Sequence, residues 1–329
     1  MKIFLSLFVS FVCVCSLQAQ SDSSDINSFD YTEIIYSDDI VIDDIEYDTE
    51  AQTNSTIKTT DLPFIFSGMQ PNVIIDSTNS LYQFFTELRL LQIGLIKTKV
   101  RVVHVGDSHV RSHEFTPALN AKMAEIFGEG SEKPVVGYKN SGIAEESGLQ
   151  GIVSHCIGIN GATSKNFLTE EYTEKIKSLS PDLIIISLGT NESMGRYEPT
   201  YHYNMMKALF SALKNACPNA VFLYTTPPGA FKTIYSKSRY RRNRKIISVE
   251  ENINIKQVAA TIVRFAAENN VACWDLFNIV GGEKYACKNW IEADYFRPDK
   301  VHFSIAGYKL QGNLLYDALI NKYNEYIER

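Results

Sequence analysis

Of the 329 residues, none falls in a Gly-x-Ser-x-Gly pattern, which counts against a serine carried on the strained strand-to-helix elbow of that motif. No Cys-x-x-Cys occurs and the 6 histidines are scattered, so a structural zinc site has no ligand set to draw on. Beyond residue 14 there is no apolar run long enough to span a bilayer. Cysteine is sparse, with 6 in the chain, and Cys13 and Cys15 lie in the N-terminal apolar segment. Cys156, Cys217, Cys273 and Cys287 remain, and four cysteines allow three pairings. A domain of this size does not need them for stability, and buried thiols or disulfides are both open. Cys273 with Cys287 is the pair to test first, because they are close enough in sequence for a short loop to join them.

What is present divides the chain into three parts. Residues 1–19 begin Met1-Lys2, run apolar from Ile3 to Val14 and end Ser16-Leu17-Gln18-Ala19. This is the layout of a secretory signal cleaved after Ala19 and is too short for a membrane span. Val12 and Val14 poorly match the small residue that lipid attachment at Cys13 or Cys15 prefers. Residues 20–62 hold 12 acidic side chains against Lys58 and contain no glycine. They read as a solvated, disordered linker, with docking against the basic remainder as the alternative. Without that segment and Lys2, 30 basic residues face 26 acidic ones, although the whole chain carries −6. Residues 63–329 form one domain, without repeats or a second linker.

That domain alternates. Leu81, Phe84, Phe85, Leu88, Leu91 and Leu95 recur at helical spacing. A strand over 101–106 precedes a helix through Phe115, Leu119, Met123, Ile126 and Phe127, which Gly128 and Gly130 end. Residues 131–150 are irregular. Strand 151–159, helix 165–179, strand 183–188, helix 201–216, strand 221–224, helix 255–266, strand 271–276 and a closing helix through Leu315, Leu319 and Tyr323 follow. The run Leu183-Ile184-Ile185-Ile186 is apolar on both alternating faces, as expected of a parallel strand covered on both sides. The pattern predicts an α/β fold, a three-layer αβα sandwich with a five-stranded parallel sheet of flavodoxin-like type.

Four short motifs fall at the carboxyl ends of these strands or in the last loop. They are Gly106-Asp107-Ser108-His109, Gly158-Ile159-Asn160-Gly161-Ala162-Thr163, Gly189-Thr190-Asn191-Glu192 and Asp299-Lys300-Val301-His302. Open α/β sheets place their chemistry at that edge. Singly, each has an ordinary reading. Ser108 is a helix N-cap, Asn191 a turn former and His302 a surface histidine. Together they supply a nucleophile, a base, an orienting acid and hydrogen-bond donors.

Their order and spacing resemble the SGNH (GDSL-type) hydrolase family, over about residues 98–325. The resemblance implies that Ser108 is the nucleophile, His302 its base and Asp299 the acid that orients the imidazole. It implies an oxyanion hole of the Ser108 and Gly161 backbone N–H groups and the Asn191 amide. His109 stands where many members carry leucine, and Glu192 where aspartate is commoner. No metal or cofactor is implied.

The substrate is read from the surroundings. Thr225-Thr226-Pro227-Pro228-Gly229 is expected to rim the site, and a basic stretch from Lys232 to Lys245 follows, interleaved with Tyr235 and Tyr240. That stretch is either a solvated loop or a positive, aromatic lip for an anionic polymer. His109, Thr226, Arg239 and Arg241 are the candidate substrate contacts, with His113 and His155 as pocket neighbours. His104 reads as a core-edge histidine. Trp274 and Trp290 are candidates for sugar stacking, although Trp274 sits in a strand and reads as core. Export argues against nucleic acid, and no apolar lid for lipid is evident. The expectation is a secreted serine esterase that removes O-acyl groups, in particular O-acetyl, from a glycan such as peptidoglycan. The alternatives are a glycan O-acyltransferase with the same triad and a non-catalytic surface glycan-binding protein. Oligomeric state is left open.

Overall fold

The computed structural model describes residues 60–95, 99–132, 142–237 and 245–329. The signal reading, almost all of the acidic segment, Arg239 and Arg241 lie outside the described residues. The chain runs β1 (Ile74–Ile75), α1 (Tyr82–Gln92), β2 (Lys99–Gly106), α2 (Ser108–Arg111), α3 (Phe115–Phe127) and β3 (Gly151–Gly158). A 3-10 turn (Ser164–Phe167), α4 (Glu170–Ser178), β4 (Leu183–Ser187), α5 (Pro199–Ala216) and β5 (Val221–Thr225) follow. Then come β6 (Phe231–Lys237), β7 (Lys245–Glu251), α6 (Asn254–Glu268), β8 (Ala272–Trp274), α7 (Leu276–Ile279), α8 (Gly282–Glu292) and α9 (Ile305–Ile327).

The central sheet has the order β1-β8-β5-β4-β2-β3. Five of its strands are parallel, as the apolar pattern predicts, and β1 adds a sixth, antiparallel at the edge through Ile74–Trp274 and Ile75–Cys273. The period-two pattern sends alternate side chains to opposite layers. Val102, Ile185 and Leu223 join one apolar cluster with Phe84, Phe85, Leu119 and Leu315 of α1, α3 and α9. Val103, Ile184, Ile186 and Phe222 join the other, with Leu209, Leu213, Ile262 and Phe265 of α5 and α6. Each such side chain, wholly removed from water, contributes about 1.5–3 kcal/mol.

Several departures from the sequence pattern have local causes. The helix expected over 165–179 is broken. Asn166 accepts from the backbone and hydroxyl of Thr163, and the Thr169 hydroxyl then caps α4 afresh. The basic stretch is flanked by an antiparallel hairpin, β6 with β7, in which Lys232 faces Glu250. The described cysteines Cys156, Cys217, Cys273 and Cys287 are free thiols, so Cys273 and Cys287, the pair to test first, are not joined. Cys273 is packed into the α5/α6 core, while the Cys287 thiol turns to the Ala230 carbonyl on the hairpin side. Trp274 and Trp290 are both fully buried and donate to Asn72 and the Pro228 carbonyl, which removes both as stacking platforms. At the start of the described chain, the Thr60 N–H donates to the Asp317 carboxylate at 2.5 Å.

Candidate active site

The carboxyl ends of β2, β3 and β4, together with the loop before α9, converge on one cleft of about 910 Å³. Ser108, Arg111, Ser112, His113, Asn160, Gly161, Asn191, Arg297, Val301, His302 and Tyr308 line it. β2 ends at Gly106, where a Cβ would run into the Val110 side chain and the Ser187 carbonyl. Only glycine lets the chain turn there so tightly into α2, and this turn sets Ser108 at the cleft floor. The Asp107 carboxylate caps that short helix by accepting the His109 N–H at 2.9 Å.

The loop before α9 is built around one carboxylate. Asp299 Oδ1 accepts the backbone N–H groups of Val301 and His302 at 2.9 and 2.8 Å. Lys300 takes a left-handed φ of 53° to allow this. The other oxygen, Oδ2, is left to meet His302 Nδ1 at 2.8 Å, and His302 Nε2 lies 2.8 Å from Ser108 Oγ. Partial burial would raise the Asp299 carboxyl, but the two backbone N–H groups and the imidazole hold it below its usual value. An ionised carboxylate only accepts, so Nδ1 carries the proton and Nε2 presents its lone pair to the serine hydroxyl. A hydroxyl in this arrangement can lose its proton to the imidazole as it attacks a carbonyl.

Donors for a developing oxyanion face the same floor. Gly161 holds a φ of 73°, and a Cβ there would meet nothing within 4 Å, so its backbone lies open to the cleft. Asn191 lines the cleft, but its Nδ2 already donates to Asp107 Oδ2 at 3.1 Å and to the Ala162 carbonyl at 3.0 Å. Burial pushes Asp107 up to about 7, against the lowering effects of the His109 N–H, His302 and Asn191.

The structure brings Ser108, His302, Asp299, Gly161 and Asn191 together. It does not put His109 or Thr226 in the cleft. His109 is buried behind the base, its ring centroid 5.4 Å from that of His302 and its Nδ1 3.2 Å from the Tyr308 hydroxyl. Desolvation pushes it down to about 3, so it stands neutral. It follows Ser108 on a helix whose next face is the core, which turns the ring inward. Thr226 is buried too; its hydroxyl donates to Asp275 and accepts the Phe277 N–H, pinning the turn into α7. Of the two expected pocket neighbours, His113 lines the cleft, whereas His155 is buried and accepts the Ala144 N–H. His104 lies deeper than the core edge, fully buried between Thr116 and Ser187 hydroxyls.

Sequence reasoning missed the two cleft arginines. Arg111 stands three residues after Ser108, one turn along the same helix, and Arg297 two before Asp299. Both were visible as spacings from the triad. Among the described residues, no group of three or more His, Cys, Asp or Glu side chains is arranged to hold a metal ion.

A family model described as the GDSL-like lipase/acylhydrolase family matches residues 106–310. No curated protein matches the chain. A solved peptidoglycan O-acetylesterase is 16% identical and superposes with a TM-score of 0.63, covering 77% of this chain and 99% of that one. The psychrotrophic esterase EstA from Pseudoalteromonas sp. is 14% identical with a TM-score of 0.44, over 68% of this chain and 98% of its own.

Proposed function

This chain belongs to the GDSL-like lipase/acylhydrolase family and is a carboxylic ester hydrolase, and on that premise we propose that it is an exported serine esterase removing O-acetyl groups from a glycan such as peptidoglycan. The observation that carries the reading is the unbroken relay from Ser108 Oγ through His302 to Asp299, with both links at 2.8 Å. Ser108 and His302 line a cleft of about 910 Å³.

In this reading Ser108 Oγ attacks the ester carbonyl and His302 Nε2 takes its proton. Asp299, ionised and held by two backbone N–H groups, stabilises the imidazolium that forms. The Ser108 and Gly161 backbone N–H groups and the Asn191 amide face the tetrahedral oxyanion. Collapse breaks the bond to the sugar oxygen, which leaves as an alcohol with the proton from His302, and acetyl remains on Ser108. Water then attacks the acyl-enzyme, its proton passing to His302 and back to Ser108 as acetate departs.

The glycan half of the proposal is supported by the likeness in fold to a peptidoglycan O-acetylesterase and by the cleft itself. Arg111 and Arg297 put two guanidinium groups on its wall, suited to carboxylates on an envelope polymer. The export reading rests on the apolar run at residues 3–14. Among the described residues no helix is long and apolar enough to cross a membrane.

The test is acetate release by the mature protein from O-acetylated peptidoglycan and from acetylated xylan, beside Ser108→Ala. Release from peptidoglycan that the substitution abolishes is the expected result. Transfer of the acetyl group to an added sugar, in place of release to water, replaces the hydrolase by an acyltransferase. Release from neither polymer removes the glycan substrate.

A further inference from the structure

The two loops that carry Gly161 and Asn191 have a second side. Behind them, Thr163, Ser164, Glu192, Tyr197, Tyr201 and His202 line most of a separate pocket of about 170 Å³. Glu192, next in sequence to Asn191, turns its carboxylate into it. Oε1 accepts the Ser164 N–H at 2.9 Å and the Ser164 hydroxyl at 3.3 Å, tying the two loops together. Oε2 is buried and has no hydrogen-bond partner among the described residues. The Glu192 side chain is only 9% exposed.

His202 on α5 faces the same space, 2% exposed, with Nε2 4.0 Å from Glu192 Oε1 and likewise without a hydrogen-bond partner. Its tautomer follows from its neighbours. Thr261 gives its hydroxyl proton to the Gln257 carbonyl at 2.8 Å, so it accepts from the Tyr197 hydroxyl at 2.9 Å. Tyr197, its own proton committed, then accepts from His202 Nδ1 at 2.9 Å. Nε2 is therefore a bare lone pair. Burial keeps this imidazole neutral, pushing it down to about 4, and pushes the Glu192 carboxyl up to about 7.

Glu192 Oε2, when the carboxyl is ionised, and His202 Nε2 are two buried acceptors without partners among the described residues, which suits the pocket to a ligand that brings donors, since an unmatched buried acceptor is costly. One water occupies about 30 Å³ of liquid, so the space exceeds a single solvent molecule. Tyr201, 55% exposed, provides an aromatic face at the mouth. Lys165, Arg196 and Glu198 are also in the lining, with Arg196 paired to Glu198 at 2.6 Å, so its charges largely balance, which suits a neutral ligand. We infer that this pocket is a sugar subsite that takes a neutral ring of the polymer, neighbouring the ring esterified at Ser108, by hydroxyl donation to Glu192 Oε2 and His202 Nε2 with the ring against Tyr201. The inference rests on the glycan reading above and names where the rest of the chain is held.

The test separates binding from catalysis. Ser108→Ala protein is titrated calorimetrically with chitotetraose, xylotetraose and spermidine, and again after adding Tyr201→Ala or His202→Gln, with thermal melting to show that each variant is folded. The expected result is binding of at least one tetrasaccharide that each added substitution weakens roughly fivefold or more. In the active enzyme, Tyr201→Ala is expected to raise KM for an acetylated oligosaccharide rather than lower kcat. Binding that folded variants leave unaltered, binding of neither sugar, or binding of spermidine alone overturns the subsite. If the sugars bind here while the wild-type protein hydrolyses no ester, the subsite stands and the esterase reading falls.

Discussion

Asn191 Nδ2 lies 3.1 Å from Asp107 Oδ2, so the amide that the proposed mechanism offers to an oxyanion is oriented by the residue that immediately precedes Ser108. The second amide hydrogen is spent on the Ala162 carbonyl at 3.0 Å. Donation to a tetrahedral intermediate therefore draws on a hydrogen already shared, with the amide held in place beforehand. Preorganised donors of this kind act without rearranging during the reaction. Asn191→Ala is expected to lower kcat about 10²–10³-fold with little change in KM on an aryl acetate. Asp107→Asn leaves one acceptor oxygen for two donors, the His109 N–H and the Asn191 amide, and should lower kcat as well. A large rise in KM with kcat intact would show that Asn191 binds ground-state substrate instead.

Asp299 divides its oxygens between loop and imidazole, and the two jobs can be separated by substitution. Asp299→Asn keeps an acceptor for the Val301 and His302 N–H groups but can present its NH₂ to Nδ1, favouring the wrong tautomer. Its kcat should fall roughly 10²–10⁴-fold while the melting temperature stays close to that of wild type. Asp299→Ala loses the loop as well and should melt lower. Equal activity in Asp299→Asn and wild type would remove the carboxylate from the relay.

Glu192 makes the fold sensitive to pH in a direction opposite to a surface acid. Burial raises its folded-state value to about 7, whereas an unfolded glutamate titrates near 4.3. Between those values the folded chain binds more protons than the unfolded one, so stability contributed by the neutral carboxyl is present below the lower value and lost as pH rises toward the upper one. Glu192→Gln carries no such penalty. Its melting temperature relative to wild type should climb between about pH 4.5 and pH 7.5. A difference that does not vary with pH would show that the carboxyl titrates normally.

Two glycines near the floor test different constraints. At Gly158 a Cβ would press on the backbone nitrogen of Arg111, so Gly158→Ala must displace α2 and with it Ser108. A loss of about 1–3 kcal/mol in chemical denaturation is expected, together with most of the activity. At Gly161 the space is open but φ is 73°, so Gly161→Ala carries only the left-handed backbone cost of about 1–2 kcal/mol. If Gly158→Ala were the milder of the two, the packing of α2 on β3 described above would be incorrect.

The parallel sheet was legible because its signal is local. Val102 to Val105 and Leu183 to Ile186 alternate between two apolar layers within a few residues. Gly106, Gly158 and Gly189 mark where β2, β3 and β4 stop. The triad was legible because Asp299 and His302 share one loop, and Ser108 follows a strand of unmistakable pattern. What escaped depends on partners far away in the chain. β1 is two residues long and exists by pairing with Trp274, about 200 positions downstream. The inward turn of His109 is set by Tyr308 and Phe303, nearly 200 positions downstream in the chain. Glu192 stood out by residue type, yet its role needs Ser164 from one loop and His202 from a helix face. The hairpin β6/β7 was hidden because its lysines and glutamates mask the alternation.

The central claim is that Ser108 is a nucleophile activated by His302, and covalent trapping tests it most directly. The protein treated with a fluorophosphonate is digested and mapped by mass spectrometry, beside His302→Ala and Ser108→Ala. The account requires a single phosphonate adduct on the peptide containing Ser108, slowed at least about 10³-fold in His302→Ala and absent in Ser108→Ala. An unmodified Ser108 in wild type, or an adduct that forms equally fast without His302, would contradict it.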